Sequence, residues 1–223
     1  MKVIAISTIT SVAFGGIVQM QDSLTHLANS TGSNRDLTAM MGPTLQNINE
    51  YGCWCYFEAD HGKGKSQPVN EIDAFCKTLH QGYDCAMIDA EEAGTTCVPW
   101  EVNYLAANQG EVEVLVNLCN LQNTDECAIR ACIIEGKFVA DIFQAFFGGL
   151  QLDMGAKHTN GFEVDTQCLT KSGSGFSEKS CCGFYPYRSP FKTYDGNRAC
   201  CQTRTYDVNV LTCCDDGKAR LSC

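Results

Sequence analysis

The chain is 223 residues long, carries a formal net charge of −10, and contains 16 cysteines against 4 histidines and 5 prolines. With 44% hydrophobic residues it holds enough apolar material for one or two small globular domains, which excludes a disordered chain and a collagen-like repeat. So acidic a chain has no cationic surplus to displace counterions from phosphates, which excludes nucleic acid as a partner. An even cysteine total at this density belongs to an oxidised, secreted framework.

The N-terminus agrees. Lys2 precedes an apolar run from Val3 to Ala13, and small residues follow at Ala13, Gly15 and Gly16. The run is short and broken by Ser and Thr, so residues 1–18 read as a cleaved secretory signal, with a signal anchor as the alternative. No later stretch approaches about 18 uninterrupted apolar residues. Asn29-Ser30-Thr31 is a glycosylation sequon that secretion makes usable.

Two segments have helical periodicity. From Asn70, the residues Ile72, Phe75, Cys76, Leu79, Tyr83, Ala86, Met87 and Ala90 recur at three-and-four spacing, which predicts a helix of about 20 residues. A second helix is predicted from Thr124, its hydroxyl as cap, with the stripe Cys127, Ala131, Cys132, Ile134, Phe138, Ile142 and Phe146. Cysteines lie in both stripes, so the two helices are expected to be bridged. Between them, Val112, Val114, Leu115 and Val116 suggest a small hairpin.

Charge and cysteines divide the chain. Residues 1–167 hold 21 acidic and 8 basic residues, a formal −13; residues 168–223 hold 5 acidic and 8 basic, a formal +3. Eight cysteines fall in each part, so each is expected to close its own bridges. The expected organisation is a helical domain over 19–150, a Gly- and Ser-rich linker over 151–180, and a cysteine-doublet module over 181–223.

Tyr51-Gly52-Cys53-Trp54-Cys55, the stretch His61-Gly62-Lys63-Gly64, and Pro68-Val69-Asn70-Glu71-Ile72-Asp73-Ala74-Phe75-Cys76 with Tyr83 together resemble secreted phospholipase A2. The resemblance runs from about Asn47 to Phe147 and implies a mainly α fold of two long, disulfide-bridged helices. It also implies a chemistry: a histidine takes a proton from water, an Asp on the facing helix orients it, and calcium stabilises the ester oxyanion. Counting from Pro68, the family's histidine falls on Leu79 and its calcium Asp on His80; on the second helix, where the Cys127-x4-Cys132 spacing fits the family, its orienting Asp falls on Glu135, and Tyr56 stands where the family has a calcium-loop Gly. Two family bridges lose both partners, one at Phe75 and Asp141, the other at Gly82 and Ile134. The pairings that remain join Cys55 to Cys76, Cys119 to Cys132, and Cys97 or Cys85 to Cys127.

A one-residue slip, about 100° around the helix, puts His80 in the catalytic place and pairs it with Glu135, but Gln81 then replaces the calcium carboxylate. Tyr56, Gly62 and Gly64 are what remains of the calcium loop, so tight calcium binding is not expected and His80 reads as a structural histidine. Trp54 and Phe57 read equally as packing residues or lipid contacts. The acidic group Asp84, Asp89, Glu91 and Glu92 reads as a solvated helix face.

The tail carries the doublets Cys181-Cys182, Cys200-Cys201 and Cys213-Cys214 and a terminal Cys223. Neighbouring cysteines in extended chain point to opposite sides, so each doublet is expected to staple short strands on both faces. The pattern resembles the dicysteine modules of extracellular matrix and biomineral proteins such as galaxin. Zinc is disfavoured because Cys-x-x-Cys pairs and nearby histidines are missing. The expected function is a secreted, non-catalytic phospholipase A2-like glycoprotein that binds an extracellular protein or matrix component, with a phospholipid surface as a further partner. The alternatives are an active, divergent calcium-dependent phospholipase using His80 and Glu135, and a toxin-like or receptor-binding ligand.

Overall fold

The computed structural model describes residues 16–30, 44–57, 60–107, 111–169 and 178–223. Among these, the helices are α1 (Ile17–Ser30), α2 (Thr44–Ile48), α3 (Glu71–Glu92), α4 (Val112–Gln122), α5 (Glu126–Phe147) and α6 (Val164–Gln167). The strands β1 (Lys179–Cys182), β2 (Ser189–Lys192), β3 (Arg198–Cys201), β4 (Arg204–Asp207), β5 (Thr212–Cys213) and β6 (Ala219–Arg220) form three antiparallel pairs in chain order. The chain is therefore mainly helical and disulfide-rich, with a small strand module at its C-terminal end.

The long helix α3 starts where its sequence dictates. Asn70 is extended and its side chain accepts from Asp73 N, the N-cap geometry that satisfies an otherwise orphaned donor. The start of α5 differs from expectation by one residue: Asp125, not Thr124, is the cap and accepts from Ala128 N. A carboxylate there also meets the positive end of the helix dipole. The expected hairpin at 112–116 is instead the start of α4. Val112, Leu115, Val116 and Cys119 repeat at helical spacing, and Leu115 and Cys119 turn inward against α5.

The α5 helix is buried on two sides. Ile134, Phe138, Val139 and Ile142 pack with Ile72, Leu79 and Tyr83 of α3 and with Met20 and Leu24 of α1. Ala128, Ala131, Cys132 and Ile133 pack with Tyr104 and Leu115. A helix buried on two sides carries apolar residues on both, and in α5 the charged Glu126, Arg130, Lys137 and Asp141 keep to the exposed or half-buried remainder. Of the expected signal, residues 1–15 lie outside the described residues; Ile17 and Val18 already belong to α1, and Ile17 packs on the core.

All 16 cysteines are bridged, in eight disulfides. Cys55 joins Cys76 and Cys119 joins Cys132, as the family resemblance implies, and of the two partners it left open for Cys127 the structure takes Cys97, Cys85 joining Cys181 instead. Closure of bridges within each half does not hold, because Cys53 joins Cys168 and Cys85 joins Cys181. The expected linker is packed as well as far as Cys168: Ala156, Phe162 and Cys168 are buried in the main core. Residues 170–177, which hold the Gly/Ser run, lie outside the described residues.

The doublets form a relay. Cys181 reaches Cys85 while Cys182 reaches Cys200; Cys201 reaches Cys213; Cys214 reaches Cys223. Each doublet thus sends one bond back and one forward, as opposite-facing neighbours on a strand require. Within the strand module, the buried apolar side chains are Cys181, Cys182, Cys201, Cys214 and Pro186, so cross-links hold what a core does not.

Candidate functional site

The site expected from the sequence lies where the loop 51–66 crosses α3 and α5. Asp73, fully buried, anchors the loop by accepting from Cys53 N (2.9 Å), Trp54 N (2.7 Å) and Val69 N (2.9 Å). Burial raises its pKa while those three N–H groups work against the rise. Gly52 sits at φ +58 with the Asp73 carboxylate against its Cα, so a Cβ there would lie 2.5 Å from Asp73 Cγ. Only glycine satisfies both constraints.

His80 is buried, and its Nε2 lies 2.6 Å from the carbonyl of Tyr56. Since a carbonyl only accepts, Nε2 carries the proton. Burial, reinforced by the neighbouring His61, pushes the His80 pKa down to about 4, so it is neutral over the physiological range. Its ring stacks on His61 at 4.7 Å and meets Trp54 edge-on at 6.0 Å. His61 in turn stacks on Trp100 at 4.6 Å and places Nε2 3.0 Å from Asp84 Oδ1, while its Nδ1 is buried without a hydrogen-bond partner.

Glu135 is fully buried on α5. The hydroxyl of Tyr83 donates to Oε1 at 2.7 Å and that of Tyr104 to Oε2 at 2.5 Å. Burial outweighs those hydrogen bonds and pushes its pKa up to about 8. Next to the carboxyl, Tyr104 is raised well above its ordinary value, chiefly by its own burial. The two candidate catalytic residues are not hydrogen-bonded to each other: His80 faces the loop carbonyl and Glu135 faces two phenols.

The candidate calcium loop does not offer a set of free oxygens. The Tyr56 carbonyl is taken by His80. Gly62 lies at φ +95 in open space, and Gly64 lies under the Trp54 ring, which a Cβ would meet at 2.4 Å. A hard cation that prefers six to eight oxygens finds an imidazole where the resemblance puts a carboxylate, so these residues do not fit calcium. Among the described residues no three His, Cys, Asp or Glu side chains come together as a metal-holding group.

Several residues have roles that differ from those expected. Phe57 is buried against Phe138 at 5.9 Å, and the Trp54 indole N–H donates to Ser66 O at 3.1 Å, so both are packing residues here. The acidic face is only partly solvated: Asp84 pairs with His61, and Asp89 is held by Arg188 and Tyr185. Glu91 and Glu92 are exposed. Sequence reasoning overlooked Tyr104 and the His61–Asp84 pair. The signal for the latter was His61 itself, a titratable residue beside glycines, but nothing local connects it to Asp84.

Every cysteine is oxidised, so no thiol nucleophile exists. No protein-family model matches the chain, and none of the curated proteins matches it. No helix among the described residues is long and apolar enough to cross a membrane.

Proposed function

We propose that the chain is a secreted, non-hydrolytic relative of phospholipase A2 that serves as a binding component of the extracellular matrix. The observation that carries this reading is the 2.6 Å contact between His80 Nε2 and the Tyr56 carbonyl. In the family alignment these two positions supply calcium ligands. Here one donates to the other, so the protein satisfies internally the oxygen that the ion would take.

The kinship itself is supported by two pairs of positions where both partners of a family bridge are missing. A Cβ on Gly82 would lie 3.0 Å from Ile134, and Phe75 and Asp141 line one small crevice with Leu79 and Phe138. Positions that a bridge would join are neighbours, as in a relative that lost both cysteines together. The eight disulfides and the absence of a membrane-crossing helix among the described residues are compatible with secretion.

Leu79 stands in the place of the general base, and a hydrocarbon accepts no proton from water. Without the ion as well, ester hydrolysis loses several kcal/mol of oxyanion stabilisation, a rate loss of at least about a thousandfold. The test is turnover of mixed phospholipid vesicles with and without calcium, alongside the melting temperature at each calcium concentration. No calcium-dependent turnover and no calcium-dependent shift are expected. Turnover at ordinary enzyme rates that is lost in His80→Gln would overturn the reading in favour of an active, divergent phospholipase.

A further inference from the structure

The strand module contains a concavity that packing leaves unused. Between the β3–β4 and β5–β6 hairpins lies a cleft of about 660 Å³, whose walls include Gln202, Thr203, Arg204, Tyr206, Lys218 and Arg220. The Cys201–Cys213 bridge ties the first hairpin to the second, so the two walls are covalently coupled. Arg220 is engaged by Asp216, with Nη2 2.6 Å from Oδ2. The side chains of Arg204 and Lys218 are exposed and take no partner within the described residues. Asp216, held by Arg220, is the acidic residue in the lining.

We propose that this cleft binds an acidic polysaccharide, its sulfate or carboxylate groups meeting Arg204 and Lys218 and a sugar ring lying on the face of Tyr206. Arg and Lys are donors only, so they suit groups that only accept. Thr203 and Gln202 carry side-chain groups that both donate and accept, which suits sugar hydroxyls. Apart from Tyr206 and the Cys201 disulfide, the lining is apolar only at Leu211, Ala219 and Gly217, so the cleft offers little to a lipid surface, which calls for projecting apolar side chains.

Charge segregation points to the same end of the molecule. The body through residue 167 is a formal −13 and the remainder a formal +3, so a polyanion is repelled from the helices and steered to the tail. Such binding would give the matrix reading proposed above its ligand, and it rests on that reading only for the compartment in which the ligand is met.

The experiment uses the full-length, fully oxidised protein. Binding to heparin and to chondroitin sulfate is measured over a salt series, with dextran as the uncharged control and phosphatidylserine vesicles and a polyglutamate peptide as competing polyanions. The variant Arg204→Ser/Lys218→Ser is compared with Lys179→Ser/Lys192→Ser, which removes the same charge from the β1–β2 hairpin. Intact mass under non-reducing conditions confirms eight bridges in each. The cleft variant is expected to lose about tenfold in affinity and about two in the salt slope, one for each cation removed. The control pair is expected to lose less than about threefold. Tyr206→Ala is expected to weaken binding while leaving the salt slope unchanged. Equal losses in the two charge variants would overturn the assignment in favour of unspecific cation exchange, and tighter binding to vesicles or polyglutamate than to either glycan would overturn the ligand class. Neither result bears on phospholipid hydrolysis, so the two readings fail separately.

Discussion

Arg188 of the strand module grips Asp89 of α3 as a two-point fork, with Nε 2.8 Å from Oδ2 and Nη2 2.9 Å from Oδ1. Tyr185 donates to the same Oδ2 at 2.8 Å, and Arg188 Nη1 donates to the Gly183 carbonyl at 2.8 Å. A planar guanidinium meeting both oxygens of one carboxylate is strong and directional. With the Cys85–Cys181 bridge one helical turn away on α3, the contact fixes the orientation of the module on the helices.

Asp89→Ala should therefore destabilise the protein by about 2 kcal/mol, between the small value of an exposed pair and the larger one of a buried pair. The side chains of Arg188 and Asp89 are 23% and 13% exposed, which places them between those limits. A double-mutant cycle with Arg188→Ala in urea denaturation, disulfides intact, should return a coupling energy of at least about 1 kcal/mol. A coupling near zero would mean that the disulfide alone docks the module.

Proteolysis should cut the backbone without releasing the tail. Any nick between Cys168 and Cys181 leaves the C-terminal fragment attached through Cys85–Cys181, and through no other bridge. The expected result is one species on a non-reducing gel and two after reduction. In a Cys85→Ser/Cys181→Ser variant the same nick should leave the fragments held by non-covalent contacts alone, and denaturant should part them without reductant.

Stability should respond to pH through two buried groups of opposite sign. His80 titrates near 6.5 in the unfolded chain and near 4 in the fold, so between these values the unfolded chain binds the proton more tightly. Its contribution is fully present above pH 6.5 and is lost as pH falls toward 4, by about 3 kcal/mol. Glu135 runs the other way. Its pKa rises from 4.5 to about 8 on folding, so its contribution is fully present below pH 4.5 and is lost as pH rises toward 8. Urea denaturation across pH 4 to 8.5 should show Glu135→Gln gaining on the natural protein as pH increases, and His80→Gln gaining as pH decreases. Parallel curves for either variant would show that the group is not buried as described.

A new bridge between α3 and α5 tests the fold at atomic range. A Cβ on Gly82 would lie 3.0 Å from both Ile134 Cγ1 and Cγ2, and disulfides need Cβ atoms about 3.5 to 4.5 Å apart. Gly82→Cys/Ile134→Cys should fold with nine bridges, two hydrogens lighter for the added bridge by intact mass, and with a higher urea midpoint. Two free thiols in the folded variant would separate α3 from α5 at this level.

Much of the helical frame is written locally. The three-and-four spacing from Ile72 to Ala90 determined α3, because a helix needs only neighbours along the chain to define its buried face. The even cysteine count and the doublets likewise determined that a stapled, strand-like module ends the chain. The segment around Val112 is locally ambiguous, because four apolar residues in five match strand and helix alike, and the packing of Leu115 and Cys119 on α5 decides between them. What no local pattern contains is which distant groups meet. Cys53 found Cys168 across 115 residues, Asp89 found Arg188, and Glu135 found the two phenols that hold it, because cross-links and buried charges depend on distances of a few ångströms fixed by the whole packed core. The same holds for the environment of His80. Its position on α3 was legible, but only the tertiary structure brought the Tyr56 carbonyl to its ring and removed it from water, turning a candidate base into a neutral structural donor.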